Sequence, residues 1–161
     1  MEQFLKIPFS MIRNKEYSKW SGTSEYKIWQ YLTSYIVRKP NGNGLTRFLY
    51  KNYHENGMLV ARWNQKDIAR NVGLRSPGHI SDLLSSMNKK GIIIKHFEPW
   101  NGKLLCVYEF GKYDKNIGKE TYHAFNYFRK ENSKNILGNL SVDFGNSEFG
   151  LTEPIIEYKS Y

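Results

Sequence analysis

An α+β domain is the fold class that the sequence predicts, and three observations in residues 58–110 predict it. The first is a pair of short amphipathic helices joined by a tight turn. Asn64-Gln65-Lys66-Asp67-Ile68-Ala69-Arg70-Asn71-Val72 is closed by Gly73, and Leu74-Arg75 turns the chain. Ser76-Pro77 then opens a second helix through Ile80, Leu83, Leu84 and Met87 to Gly91. The second observation is a hairpin pattern: the run Ile92–Phe97, the turn Trp100-Asn101-Gly102-Lys103 and the run Leu104–Phe110. The third is Met58-Leu59-Val60-Ala61-Arg62-Trp63, which reads as a strand that pairs with the hairpin into a three-stranded antiparallel sheet. This order is that of a winged helix-turn-helix, a module used mainly to place one helix in the major groove of DNA.

The remaining elements follow in chain order. Phe4-Leu5-Lys6-Ile7-Pro8 is an extended opening segment, and Tyr17 and Trp20 pack ahead of a long helix over 24–37. That helix starts at Ser21-Gly22-Thr23-Ser24 and carries Ile28, Trp29, Leu32, Tyr35 and Ile36 at three-to-four spacing, which gives a wide buried stripe. Pro40 and Asn41-Gly42-Asn43-Gly44 stop it. Leu45–Tyr53 reads as a short helix with Phe48, Leu49 and Tyr53 inward, and Glu55-Asn56-Gly57 as a turn. Asn64 is the expected N-cap of the first motif helix, with Asp67 at the capping-box position. Past Tyr113, Glu120–Lys130 reads as a C-terminal helix packing Tyr122, Phe125, Tyr127 and Phe128. Beyond Ser133 an acidic, Gly/Asn/Ser-rich extended tail is expected. The division is thus a winged-helix domain over 1–115 and a helix with a partly flexible tail over 116–161.

Composition narrows the function classes. The chain has 161 residues and a formal charge of +9. Residues 1–115 hold 19 Lys and Arg against 9 Asp and Glu, whereas residues 116–161 hold 5 against 6. The positive excess therefore belongs to the part with the helix pair, as a phosphate-binding surface requires. The single Cys106 sits in an apolar run and reads as a packed thiol, with no disulfide framework. Neither a signal peptide nor an apolar stretch of ~18 residues is visible, so a cytoplasmic setting without membrane contact is expected.

The face of the second helix opposite Ile80, Leu83, Leu84 and Met87 holds Gly78, His79, Ser81, Asp82, Ser85, Ser86 and Lys89. Small polar residues near the start of such a helix allow close approach to base edges, and Ser76, Ser81 and Ser85 can exchange hydrogen bonds with bases or phosphates. Arg75 at the turn is the foremost candidate to fork onto a guanine or grip a phosphate. His79 on that face is either a contact or incidental. Asp82 either accepts from a cytosine amino group or pairs with Arg75 and orients it. Lys66 and Arg70, at i and i+4, are placed to face the DNA backbone. Lys95, His96, Trp100, Asn101 and Lys103 belong to the wing, where Trp100 folds back on the hairpin, packs against sugar and phosphate, or contacts a protein.

Catalysis is not expected. Four scattered histidines and one cysteine lack metal-ligand spacing. Gly42-Asn43-Gly44 lacks the Gly-Lys-Ser/Thr of a nucleotide-binding loop. No cofactor is implied.

The segment order resembles the N-terminal domain of plasmid replication initiators of the RepA N-terminal type, and the related winged helices of phage replisome organisers and DnaD-like primosome proteins. The residues that carry the resemblance are Phe4–Pro8, Tyr17, the aromatic helix at 24–37, Glu55-Asn56-Gly57, Leu59–Trp63, the helix pair at 65–90 and Gly91-Ile92-Ile93. The first long helix opens at Trp20-Ser21-Gly22-Thr23, where the family commonly has Leu-Ser. The resemblance implies binding to repeated double-stranded origin sequences, dimerisation, and recruitment of host or phage replication proteins through the C-terminal tail. By position it lays DNA contact on Arg75, Ser76, Gly78, His79, Ser81 and Lys103. A transcriptional regulator and a protein-interaction winged helix are the alternatives that the same module leaves open.

Overall fold

The structure is a computed structural model, and it describes residues 5–39, 44–61, 65–73 and 77–143. The described residues form an α+β fold in the order α1 (Phe9–Ile12), α2 (Lys15–Trp20), α3 (Ser24–Thr33), α4 (Gly44–Asn56), β1 (Leu59–Ala61), α5 (Gln65–Val72), α6 (Pro77–Lys90), β2 (Ile94–Trp100), β3 (Lys103–Glu109), β4 (Gly111–Asp114), β5 (Lys119–Tyr122) and α7 (His123–Asp143). The first sheet is antiparallel in the order β1-β3-β2, and β4 pairs with β5 in a separate antiparallel ribbon.

Leu5–Pro8 is free of helix and Pro8 is extended, in keeping with the opening segment expected, but the two short helices that follow were not expected. Asn14 starts the second by accepting from the Tyr17 amide at 2.9 Å, and its own Nδ2 donates to the Phe128 carbonyl at 2.9 Å. One buried side chain therefore caps α2 and anchors it to α7. The long aromatic helix ends at Thr33, four residues before the expected stop. Thr33 and Ser34 donate back to the Gln30 and Tyr31 carbonyls at 2.7 and 2.6 Å, competing with continuation of the helical ladder. Val37 then reaches the Leu59 carbonyl of β1 at 3.5 Å, which draws the chain onto the sheet.

Helix α4 is longer than Leu45–Tyr53, and it covers one face of the first sheet. Leu49, Leu59 and Val107 form a small core there, flanked by Val37, Leu45, Phe48 and Leu105. The other face lies in the main core. Val60, Cys106 and Tyr108 join Ile68 and Ala69 of α5, Ile80, Leu84 and Met87 of α6, and Ile28, Trp29 and Leu32 of α3. Cys106 is buried and free, as a packed thiol. Leu83 is partly buried against the same cluster.

The β4–β5 ribbon was not expected, and the helix read over 120–130 begins at His123 instead. Gly111 makes the ribbon possible. A Cβ at this position would stand 2.1 Å from the Thr121 carbonyl oxygen, so the strands approach more closely than any other residue permits. Helix α7 continues through Asp143, beyond the Ser133 boundary expected for the tail, and residues 144–161 lie outside the described residues. Tyr122, Phe125 and Phe128 enter the main core, where Tyr17, Trp20 and Trp29 meet them edge-on or tilted with centroids 5.0–6.1 Å apart. Tyr127 packs at the margin.

Two carboxylates, the buried Glu109 and the half-buried Glu120, lock the ribbon to the rest. Glu120 accepts from Arg38 Nε at 2.7 Å and Nη2 at 3.1 Å, and from the Tyr53 hydroxyl. Glu109 lies 2.5 Å from His123 Nε2, 3.2 Å from His96 Nε2 and 3.6 Å from Lys112 Nζ. Burial acts to raise both carboxyl pKa values. The hydrogen bonds from these partners and the charges of Lys112 and Arg38 outweigh it, so both lie below the ordinary glutamate range. A depressed carboxylate contributes stability above its unfolded pKa of about 4.3, and that contribution is lost as pH falls through the folded value. The melting temperature is accordingly expected to decline as pH drops below about 4. In a Glu109→Gln/Glu120→Gln double variant the melting temperature at neutral pH should be lower and the acid decline shallower. Thermal scans by circular dichroism between neutral and acid pH check both.

Among the described residues no helix is long and apolar enough to cross a membrane. No group of three or more His, Cys, Asp or Glu there could hold a metal ion.

Candidate nucleic-acid interface

Helix α6 is held from two sides, which fixes what it leaves free. Ile80, Leu84 and Met87 sit in the main core. On the flank, Glu25 of α3 accepts from Ser86 Oγ at 2.8 Å and pairs with Lys90 at 3.2 Å, while Trp20 Nε1 donates to it at 3.1 Å. The end of α6 is closed by Gly91 at φ 81°, with the Ile92 amide returning to the Met87 carbonyl at 3.0 Å. Asn88 Oδ1 then accepts from the Lys95 amide at 3.0 Å and sets the start of β2 against the helix. Ile92 and Ile93, expected in the strand, are instead buried in this connection ahead of Ile94.

What remains uncovered on α6 is the stripe Gly78, Asp82, Ser85 and Lys89, at i, i+4, i+7 and i+11, with His79 beside it. All five are exposed, and Ser81 is half-buried at the edge. Small and polar side chains at its amino-terminal half leave the backbone approachable. Lys89 places a cation at the other end, and Asp82 lies between them as an exposed carboxylate. Arg70 is exposed on α5, with its guanidinium only 3.9 Å from Asp67, a solvated pair of little energetic consequence.

The hairpin turns on Asn101 at φ 50° and Gly102 at φ 74°. Two left-handed residues in succession make the tight turn whose twist matches the strands, and they fix the register of β2 on β3. That register sorts side chains onto two faces. His96, Glu98 and Trp100 share one face with Leu105 and Val107, against α4. Lys95, Phe97 and Pro99 share the other with Leu104, Cys106 and Tyr108. The second face is the side on which Cys106 and Tyr108 pack with residues of α5 and α6. Towards the turn it is bare: Phe97 is 59% and Leu104 72% exposed, and the Lys95 ammonium stands 5.3 Å from the Phe97 ring centroid.

The structure therefore brings together Gly78, His79, Asp82, Ser85 and Lys89 on α6, and puts Lys95 on the hairpin face turned to the same side. It places Trp100 elsewhere. Its ring is half-buried at the end of β2 with its centroid 5.1 Å from that of Phe48, so it packs on α4 and does not stand at a loop tip. Asn101 is in the turn, and Lys103, exposed beside it, shares the Trp100 face. Arg75, Ser76 and the side chain of Lys66 lie outside the described residues, as does the suggested pairing of Asp82 with Arg75.

Phe97 and Leu104 were not singled out from the sequence. The signal was present, because an Asn-Gly turn at 101–102 pairs 100 with 103 and sets 97 and 104 on one face. Comparison of the chain with protein-family models, with curated proteins and with solved structures finds no match.

Proposed function

We propose that the chain is a sequence-specific, double-stranded-DNA-binding protein without catalytic activity, built as a winged helix-turn-helix. One observation carries the reading: the uncovered stripe of α6 and the uncovered face of the β2–β3 hairpin lie on the same side of the sheet. The order β1, α5, α6, β2, β3, with β1 paired to β3, supports the winged-helix assignment. Charge supports the DNA assignment, since the net +9 is concentrated in residues 1–115. In this reading α6 enters the major groove, with Gly78, His79, Ser81 and Ser85 near base edges and Asp82 accepting from a cytosine amino group or orienting Arg75. Arg70, Lys89 and Lys95 meet phosphates, Lys103 stands beside the turn on the other face of the hairpin, and contact by Lys66, Arg75 and Ser76 is assigned from the sequence alone. Initiation of plasmid or phage replication at an origin is the proposed role, on the resemblance in segment order.

Binding to a duplex that weakens steeply with salt is the expected result of an anisotropy titration. Absence of binding at low salt would remove the proposal. Footprints on tandem origin repeats support the replication role, whereas one operator overlapping a promoter contradicts it.

A further inference from the structure

We infer that Phe97 and Leu104 form an apolar wedge that enters the minor groove beside the site of α6 and opens a base step, so that the protein bends the duplex it binds. The inference rests on the DNA-binding reading. It adds a deformation of the DNA, and so a way of reading sequence at positions that no polar side chain touches.

The two side chains are placed for this and for little else in the fold. Both belong to a sheet whose opposite face is closed by α4, with Trp100 packed on Phe48, and both are mostly exposed at 59% and 72%. In the register Phe97 faces Cys106 and Leu104 faces Pro99, so Phe97 and Leu104 are diagonal neighbours on one face. Pro99 is exposed beside them and adds a rigid apolar edge. The Asn101-Gly102 turn closes the hairpin within two residues, so no longer loop covers the two side chains, and it is these side chains, not the hairpin itself, that enter the groove.

The surroundings select nucleic acid over a protein partner. Lys95 stands over the Phe97 ring, Lys89 lies at the end of α6 from which the hairpin springs, and Lys103 is beside the turn on the other face. Cations around a small apolar projection are what a groove walled by phosphates requires. Two large side chains and a proline also fall well short of the roughly 800 Å² that a partner buries in a stable protein–protein interface. Inserted between base pairs, the same groups unstack one step and kink the helix towards the major groove, which brings more duplex onto the basic surface.

The test uses the full chain and a mixed-sequence duplex of about 30 base pairs, with a donor and an acceptor dye at its ends, in about 50 mM salt. Energy transfer is expected to rise on binding, and 2-aminopurine placed along the duplex to brighten where a step opens. Phe97→Ala/Leu104→Ala removes only exposed groups, so its circular dichroism and melting temperature should match the unsubstituted protein. This variant is expected still to bind duplex in a salt-dependent way but to lose the transfer change, and Phe97→Leu should retain it. Binding by the unsubstituted protein without bending overturns the wedge and leaves the DNA reading standing. So does a double variant that bends the duplex as fully, the behaviour of a face kept for a protein partner. Absence of binding by any form overturns both.

Discussion

Trp29→Ala is expected to destabilise the protein by about 3–5 kcal/mol, enough to leave much of the chain unfolded at physiological temperature. Trp29 is fully buried at the meeting point of α3, the β4–β5 ribbon and α7. Its ring lies 5.4 Å from Trp20, 5.8 Å from Tyr26, 5.6 Å from Tyr122 and 5.9 Å from Phe125, centroid to centroid. Truncation removes the ring's transfer free energy and opens a cavity that three separate elements would have to collapse to fill. The indole nitrogen sharpens the comparison, because Trp29 Nε1 is buried with no hydrogen-bond partner among the described residues. Trp29→Phe removes that unpaired group, whose burial is itself unfavourable, and keeps most of the ring packing. Trp29→Phe is therefore expected to retain most of the stability. Chemical denaturation of the two variants decides the matter, and equal losses would contradict the packing described.

Gly111→Ala is expected to be the second severe substitution. The clash is with backbone, since the Thr121 oxygen and carbon and the Tyr122 Cα would stand 2.1, 2.9 and 2.9 Å from the new methyl. No side-chain rotation relieves it, so the β4–β5 pairing must open. Gly111 also presents its carbonyl to the Met58 amide at 3.0 Å, so moving it disturbs the entry to β1 as well. The expected cost is about 3 kcal/mol, the upper part of the range for overpacking. The melting temperature should fall by about 10 °C, as scaled for a chain of this length. A fall of only a degree or two would contradict the ribbon geometry. The proposed binding to DNA should survive below the melting temperature, because α6 and the β2–β3 hairpin are fastened independently through Glu25 and Asn88.

How much of the fold was legible in the sequence depended on the range of the forces involved. Helix α6 was legible because Ile80, Leu83, Leu84 and Met87 repeat with the period of a helix. The β2–β3 hairpin was legible because Asn101-Gly102 is a local turn signal that needs no distant partner. The short helices at 9–12 and 15–20 were not, since four or six residues hold too little periodicity to register. Asn14 with Glu16 in the first turn was the one local clue. The ribbon depends on Gly111 meeting the backbone at 121–122, and four mostly polar residues per strand carry no pattern of their own.

The candidate surface divides in the same way. The polar stripe of α6 followed directly from helical spacing. The uncovered hairpin face followed from register once the turn was fixed, yet Trp100 drew attention by its size alone. Its true setting depends on Phe48, more than fifty residues earlier, which no local pattern reaches. The Glu25–Ser86–Lys90 tie that holds α6 in place is equally non-local.

The central claim is that α6 and the bare hairpin face together hold duplex DNA. Its most direct test is the slope of log affinity against log salt, measured for the unsubstituted chain and two variants. Lys89→Gln/Lys95→Gln removes two cations from the proposed surface, and Lys51→Gln removes one from α4, on the opposite side of the sheet. The double variant should flatten the slope by about two, one for each phosphate that no longer meets a lysine, and Lys51→Gln should leave it unchanged. A slope that responds to Lys51 and ignores Lys89 and Lys95 would contradict the claim.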